Sequence, residues 1–290
     1  MKKYQVNMTY EPFAKEPEYI EANRAFVRKM DLDGVERLLD LACGIGTMSE
    51  LLLDRKPGLD IVGIDLSRES LAIGLDSFRT ASQLEREQRG PLAFVQATAD
   101  VLPCFDDCFD AVVMGNSIHM LPDADRLVTE IGRVLRPAGF LAFNSTFYAG
   151  TMPKGTEKFH HEWMKQAVSY LVRKDLELRK AGEPGIPRKR GTMPGAFSNQ
   201  WPSPEEWTAT LVRHGLRVEY RGERMVEMTQ RNFEYIGAYG GFAKVVLSGY
   251  PVEEASEALQ ATAGPALTAV GMTTVPRLWL EIITRKEDAA

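Results

Sequence analysis

The chain has 290 residues, 44% of them hydrophobic and 26% charged, with a formal net charge of −5. That length suits one large domain with insertions or two small ones, and the balance is ordinary for a soluble globular protein. The negative charge offers no general attraction to nucleic acid, and no apolar run reaches the ~18 residues of a membrane span. The opening Met1-Lys2-Lys3-Tyr4-Gln5 is basic but leads into no apolar signal core. Three cysteines make no disulfide framework. The expectation is a cytoplasmic protein without a nucleic-acid partner, for which a homodimer remains open.

Residues 9 to 31 carry Tyr19, Ile20, Phe26, Val27 and Met30 at helical spacing behind Pro12 and Pro17, which predicts one or two leading helices. Strand and helix signals then alternate. Strands are expected at Leu38–Leu41, Ile61–Asp65, Leu92–Gln96, Ala111–Met114 and Phe140–Asn144. Helices are expected at Met48–Asp54, Ser67–Leu84 (capped by Ser67) and Asp123–Val134, the last stopped by Pro137-Ala138-Gly139. Such alternation means a parallel sheet with helices on both faces.

The pattern breaks after residue 150. Glu157–Lys180 sets Phe159, Trp163, Ala167, Val168, Leu171 and Val172 on one face of a long helix, and Gly182 to Pro204 reads as a Gly/Pro/basic loop. Ser203-Pro204-Glu205-Glu206 is a helix start with a capping box. That helix ends at His214-Gly215, and Leu216–Thr229 is extended. Asn232–Leu247 and Glu253–Val270 read as helices and Leu278–Thr284 as the last strand.

Chemistry enters at Leu38-Leu39-Asp40-Leu41-Ala42-Cys43-Gly44-Ile45-Gly46-Thr47, followed by Ile61-Val62-Gly63-Ile64-Asp65. A strand, a small-residue turn, a helix and a second strand ending in an acid suit a nucleoside-bearing ligand, whose ribose the carboxylate grips. A dinucleotide fingerprint would place a third glycine where this chain has Ser49, which weighs against an NAD-dependent oxidoreductase.

Together with Ala97-Thr98-Ala99-Asp100-Val101-Leu102-Pro103, Phe109-Asp110-Ala111-Val112-Val113, Asn116 to Asp123 and Val134-Leu135-Arg136-Pro137-Ala138-Gly139, these motifs resemble class I S-adenosylmethionine-dependent methyltransferases, in particular the small-molecule group of ubiquinone/menaquinone methyltransferases. The resemblance covers roughly residues 35 to 145. It implies a Rossmann-like, doubly wound seven-stranded α/β sheet, mostly parallel with the last strand antiparallel, with helical lid insertions. It also implies S-adenosyl-L-methionine as cofactor. Carried over residue by residue, the cofactor site comprises Asp40, Ala42, Cys43, Gly44 and Gly46 from the first motif, with Asp65 on the ribose hydroxyls and Leu66 beside it. Thr98, Ala99 and Asp100 stand at the adenine edge, Asn116 at the methionine portion, and Tyr19 closes from the leading helix. Where the family usually has an Asp receiving the adenine amino group this chain has Thr98, so either Thr98 or Asp100 accepts that bond.

An acceptor hydroxyl or carbon acid must lose a proton, and His119, just after the fourth strand, is the expected base; lining the pocket is the alternative. No metal is expected: His160 and His161 point to different helix faces, and Cys104 and Cys108 lack zinc-site spacing. His214, at a helix end, needs no role beyond the dipole. The core continues outside residues 34–150 at 203–229 and 275–290. Specificity is expected in the additions, namely lid helices 1–33, an insertion 151–202 and a second insertion 230–274. Their aromatic content, including Phe197 and Trp201, suits a small hydrophobic acceptor of secondary metabolism, with Tyr148, His160, Trp163 and Tyr239 as substrate candidates. The basic run Arg173-Lys174, Arg179-Lys180, Arg188-Lys189-Arg190 could meet a phosphate or simply be solvated. A member that binds the cofactor and transfers nothing is the remaining alternative.

Overall fold

The computed structural model describes residues 4–80, 90–189 and 201–287. Residues 81–84 of the expected helix Ser67–Leu84, Arg190 and Phe197 lie outside them. The chain divides into two units. A sheet unit comprises Pro17–Thr151, Trp201–Met225 and Leu278–Ala290, and a helical unit comprises Met1–Glu16, Met152–Gln200 and Val226–Arg277. The first division falls between Glu16 and Pro17, so residues 17–33 count with the sheet.

In the sheet unit, α2 (Pro17–Val27) precedes β1 (Arg37–Leu41), α3 (Thr47–Arg55), β2 (Asp60–Asp65), α4 (Arg68–Thr80), β3 (Leu92–Gln96) and β4 (Phe109–Gly115). A 3-10 turn, Ile118–Met120, leads to α5 (Ala124–Val134) and β5 (Leu135–Ser145), and α7 (Pro204–Arg213) follows the helical insertion. Strands β6 (Leu216–Thr229) and β7 (Thr274–Lys286) complete seven strands in the order β3-β2-β1-β4-β5-β7-β6. Every pairing from β3 to β5 is parallel, and β5 meets β7 antiparallel. This is the doubly wound sheet the motifs led one to expect.

Pleating explains why the central strands are apolar throughout. Leu38, Ile61, Ala111, Val113 and Ala142 pack on one face with Phe26, Leu52 and Phe140. Their neighbours Leu39, Ile64, Val112, Met114 and Leu141 pack on the other with Leu127, Ile131 and Trp207. Truncating one such leucine to Ala costs about 2–5 kcal/mol. Caps fall where the residue types place them. Asp123 accepts from Arg126 N at 2.9 Å, and Ser203 and Glu206 close a capping box at 3.1 and 2.7 Å.

Strand β5 corrects one sequence expectation. Pro137-Ala138-Gly139 does not precede the strand but sits inside it as a bulge: Phe109 pairs with Leu135, and Ala111 next pairs with Phe140. Ala138 there has φ +59°. Breakers flanked by strong strand formers bend a strand as readily as they end a helix.

The helical unit holds α1 (Glu11–Ala14), α6 (Glu157–Lys180), α8 (Gln230–Ala238), α9 (Gly240–Val246) and α10 (Val252–Ala269). The single helix expected over Asn232–Leu247 is two helices. At the break, Asn7 N donates to Ala238 O and Gly240 N donates to Asn7 O, both at 2.8 Å, so a bridge from the leading segment takes over backbone groups a continuous helix would use. Gly237 serves close packing instead: a Cβ there would lie 2.9 Å from Leu259 Cβ on α10. Phe159, Trp163, Phe233 and Phe242 form the aromatic centre of this unit.

Candidate active site at the carboxyl ends of the central strands

In an open α/β sheet a ligand binds beyond the carboxyl ends of the strands, where the strand order reverses. Here that point lies between β1 and β4. The residue after each of these strands is left-handed without being glycine: Ala42 has φ +57° and Asn116 φ +50°. Such backbone costs of order 1–3 kcal/mol and persists where surroundings enforce it.

The turn after β1 runs Ala42-Cys43-Gly44-Ile45-Gly46. Gly46, at φ +84°, delivers the chain into α3. Helix α4 approaches so closely that a Cβ on Gly74 would lie 2.7 Å from Ile45 O. Asp65, ending β2, clamps the turn: its Oδ2 accepts from Gly44 N and its Oδ1 from Ser67 N, both at 2.8 Å. Cys43 is buried, and burial pushes its thiol pKa up, which makes it a packing residue.

Asp40, on β1, is fully buried. Ser49 Oγ donates to its Oδ2 at 2.6 Å, while Oδ1 meets no hydrogen-bond partner. Burial pushes the carboxyl up to about 7; the Ser49 hydrogen bonds pull it down, and the Asp65 charge adds a smaller upward push. Ser49, which in the sequence only argued against a dinucleotide, is the residue that holds this acid. A buried acid with one unpartnered oxygen, beside a glycine turn and a clamping second acid, fits a cationic nucleoside ligand such as S-adenosylmethionine.

At the adenine edge, Thr98 Oγ1 donates to Asp100 Oδ2 at 3.2 Å and accepts from Asp100 N at 3.3 Å. Thr98 is thus engaged within its own turn. Ala99 is buried, whereas Leu66 and Val101, on the loops after β2 and β3, are apolar and 71% and 59% exposed.

Behind Asn116 runs a buried chain of amides that sequence reasoning missed. Tyr19 O accepts from Asn23 Nδ2 at 3.0 Å; Asn23 Oδ1 accepts from Asn144 Nδ2 at 2.8 Å; Asn144 Oδ1 accepts from Asn116 N at 2.7 Å. Asn116 Oδ1 in turn accepts from Thr146 N and Oγ1 at 2.8 and 2.9 Å. The available signal was an Asn within the apolar run Phe140–Ser145 and another on the apolar face of α2. Tyr19 itself is buried, edge-on to Trp279 at 5.6 Å.

His119 sits on the 3-10 turn after β4, with Nδ1 3.0 Å from Ser145 Oγ. Its ring lies 4.3 Å from that of Phe147 and 5.9 Å, edge-on, from that of Trp201. Ser145 was not singled out from sequence, and Trp201 was named there only among the aromatic additions. Tyr148 is 1% exposed and donates to Glu223 Oε1 at 2.6 Å. In the helical unit Trp163 is buried, its Nε1 donating to Leu259 O at 2.9 Å. His160 is buried against Phe159 and Phe233, and burial pushes its pKa down to about 3, with Arg277 and His161 adding to the shift. Tyr239 is half-buried at the helix break, 5.5 Å from Tyr10. Among the described residues no group of three or more His, Cys, Asp or Glu side chains could hold a metal ion, and no helix is long and apolar enough to cross a membrane.

Residues 39–143 match the family profile described as a methyltransferase domain. This part of the chain is similar to a methyltransferase domain. The match covers the turn after β1, Asp65, the adenine edge, Asn116 and His119, and leaves out Tyr19, Asn23, Asn144, Ser145, Phe147 and Trp201. Among curated relatives, methyltransferase GfsG from Streptomyces halstedii is 33% identical over 124 residues, 43% of this chain and 42% of that protein. A demethylmenaquinone methyltransferase from Thermus thermophilus is 36% identical over 107 residues, 37% of this chain and 45% of that protein. The chain thus matches somewhat under half the length of these relatives. The fold extends further: the structure of the [4+2]-cyclase SpnF aligns over 93% of this chain and 82% of that one, with TM-score 0.54 and 19% identity. The structure of a Haemonchus contortus N-methyltransferase in complex with S-adenosylhomocysteine shares the fold over 92% of this chain and 53% of that one, with TM-score 0.50 and 17% identity.

Proposed function

We propose that this chain transfers the methyl group of S-adenosylmethionine to an oxygen or carbon atom of a small, largely hydrophobic metabolite, of quinone-like, isoprenoid or natural-product type. The observation that carries the reading is the acid pair at the ends of β1 and β2, with Asp40 buried and half-satisfied and Asp65 clamping the glycine turn. The name of the Thermus thermophilus relative supports a quinone-like acceptor, and that of the Streptomyces halstedii relative supports methyl transfer. When bound, the cofactor supplies a methyl group already activated on a sulfonium.

The chain's own residues position and deprotonate. Asp65 presents its carboxylate, already held by Gly44 N and Ser67 N, to the ribose hydroxyls. Asp40 offers Oδ1 to positive charge. Asp100 takes the adenine amino group, because Thr98 is engaged in its turn. Asn116 faces the methionine portion through its NH2, its oxygen being held by Thr146. His119 accepts the acceptor's proton, and the aromatic rings of Phe147 and Trp201 beside it suit an apolar acceptor.

The test is calorimetric titration of the full chain with S-adenosylhomocysteine and with NADH, followed by a labelled-methyl screen over phenols, quinols and polyketide alcohols. Stoichiometric S-adenosylhomocysteine binding with a labelled product is expected. NADH binding without S-adenosylhomocysteine binding overturns the reading, and binding with no labelled product leaves a cofactor-binding protein without transfer activity.

A further inference from the structure

We infer that Ser145 is a positioning residue that holds His119 in the tautomer protonated at Nδ1, so that Nε2 is the basic nitrogen. Its use as a base rests on the methyl-transfer reading, whereas the tautomer rests on geometry alone. Ser145 Oγ has three polar neighbours: Phe147 N at 3.1 Å, Phe147 O at 3.1 Å and His119 Nδ1 at 3.0 Å. A hydroxyl carries one proton and two acceptor lone pairs. Phe147 N–H only donates, so it occupies one lone pair. Phe147 O only accepts, so it takes the hydroxyl proton. His119 Nδ1 meets the remaining lone pair and must itself carry a proton. The opposite assignment, with the hydroxyl proton on Nδ1, turns the Ser145 lone pairs onto Phe147 O at 3.1 Å, and a favourable contact becomes a repulsive one.

Local structure makes the arrangement firm. Ser145 is buried at the end of β5, opposite Leu280 of β7, and both backbone contacts of its hydroxyl are to the residue two further on. The hydroxyl is therefore oriented by Phe147 before the histidine meets it. Phe147 also places its ring 4.3 Å from the imidazole, so one residue sets both the rotor of Ser145 and the tilt of His119. The chemical consequence is that His119 Nε2, the nitrogen farther from its own backbone, is the one that takes a proton. A histidine fixed this way is a base at one end only.

The decisive measurement is a long-range 1H–15N correlation spectrum of the full, uniformly 15N-labelled chain above about pH 8, where an imidazole is neutral. His119→Gln identifies the His119 resonances among the four histidines. A protonated Nδ1 and an unprotonated Nε2 are expected for His119 in the wild type. Ser145→Ala should lose that tautomer's predominance, and Ser145→Thr, which retains the hydroxyl, should keep it. A His119 protonated mainly at Nε2 in the wild type overturns the inference, and this needs no variant to fold. An unchanged tautomer in a folded Ser145→Ala protein overturns it equally. Failure of the methyl-transfer reading would show separately, as absent S-adenosylhomocysteine binding with the tautomer intact.

Discussion

Asp40 should make stability fall as pH rises, opposite to ordinary acid denaturation, and replacing it with Asn should remove that loss. An aspartate at 3.8 in the unfolded chain is held by burial at about 7 in the fold. Below the unfolded value both states are protonated and the wild type is at its best. As pH rises from about 4 to about 7 only the unfolded state sheds the proton, and stability falls by ~1.4 kcal/mol per unit. Between about pH 5 and about pH 8 the loss is roughly 2–3 kcal/mol, which in a chain of this size is about 5 °C in Tm. Asn keeps a neutral side chain throughout, and every other titrating group is shared. The Tm of Asp40→Asn minus that of the wild type should therefore grow by about 5 °C over that interval, measured by scanning calorimetry without ligand at constant ionic strength. A difference that stays flat, or shrinks as pH rises, refutes the argument. With S-adenosylmethionine, binding near pH 6.5 should release a fraction of a proton in the wild type and none in the variant. Titrations in buffers of different ionisation enthalpy would read it.

Asp65→Ala removes both the ribose acid and the clamp on Gly44 N, and should weaken S-adenosylhomocysteine binding by about 1.5–3 kcal/mol, roughly 10- to 100-fold in Kd by calorimetry. His119→Ala should leave cofactor affinity nearly unchanged while slowing turnover ~100-fold; a large loss of affinity with turnover intact would make it a pocket wall. Glu281 is 1% exposed and receives Lys29 Nζ at 2.6 Å and Arg224 Nε at 2.7 Å. Glu281→Ala leaves those two partly exposed cations unpaired and should cost about 2–4 kcal/mol in urea unfolding, with the m-value unchanged. Gly74→Ala sets a methyl against Ile45 O and should depress cofactor affinity more than it depresses Tm.

The sheet was legible because its strands follow local rules. β3 spans Leu92–Gln96 and α6 spans Glu157–Lys180 with the boundaries expected from sequence, each bounded by residues that break its own periodicity. Capping boxes are local too, and Ser203 to Glu206 forms as written. What escaped was non-local. Nothing near Tyr239 shows that Asn7 bridges its backbone, and nothing near Pro137 distinguishes a stop from a bulge until β4 pairs on either side of it. The same division runs through the site. Asp40 and Gly44 stand in one motif and Asp65 ends the next strand, whereas the bonds Asn144–Asn23, Asn116–Asn144 and His119–Ser145 form only through the fold.

The chain of amides behind Asn116 bears on how this protein comes together during synthesis. Asn23 and Asn144 are 121 residues apart, and no partner nearer than that satisfies the Asn144 Nδ2–Asn23 Oδ1 bond. At a synthesis rate of about 5–20 residues per second, α2 emerges several seconds before the strand that will receive it. Its apolar face, with Phe26 and Val27, packs with residues of β1, α3, β2 and β4, which are made before β5, so Asn23 is the part of the helix that waits for Asn144. The leading segment can therefore bury its apolar face early in synthesis and complete its polar contacts only once residue 144 has been made.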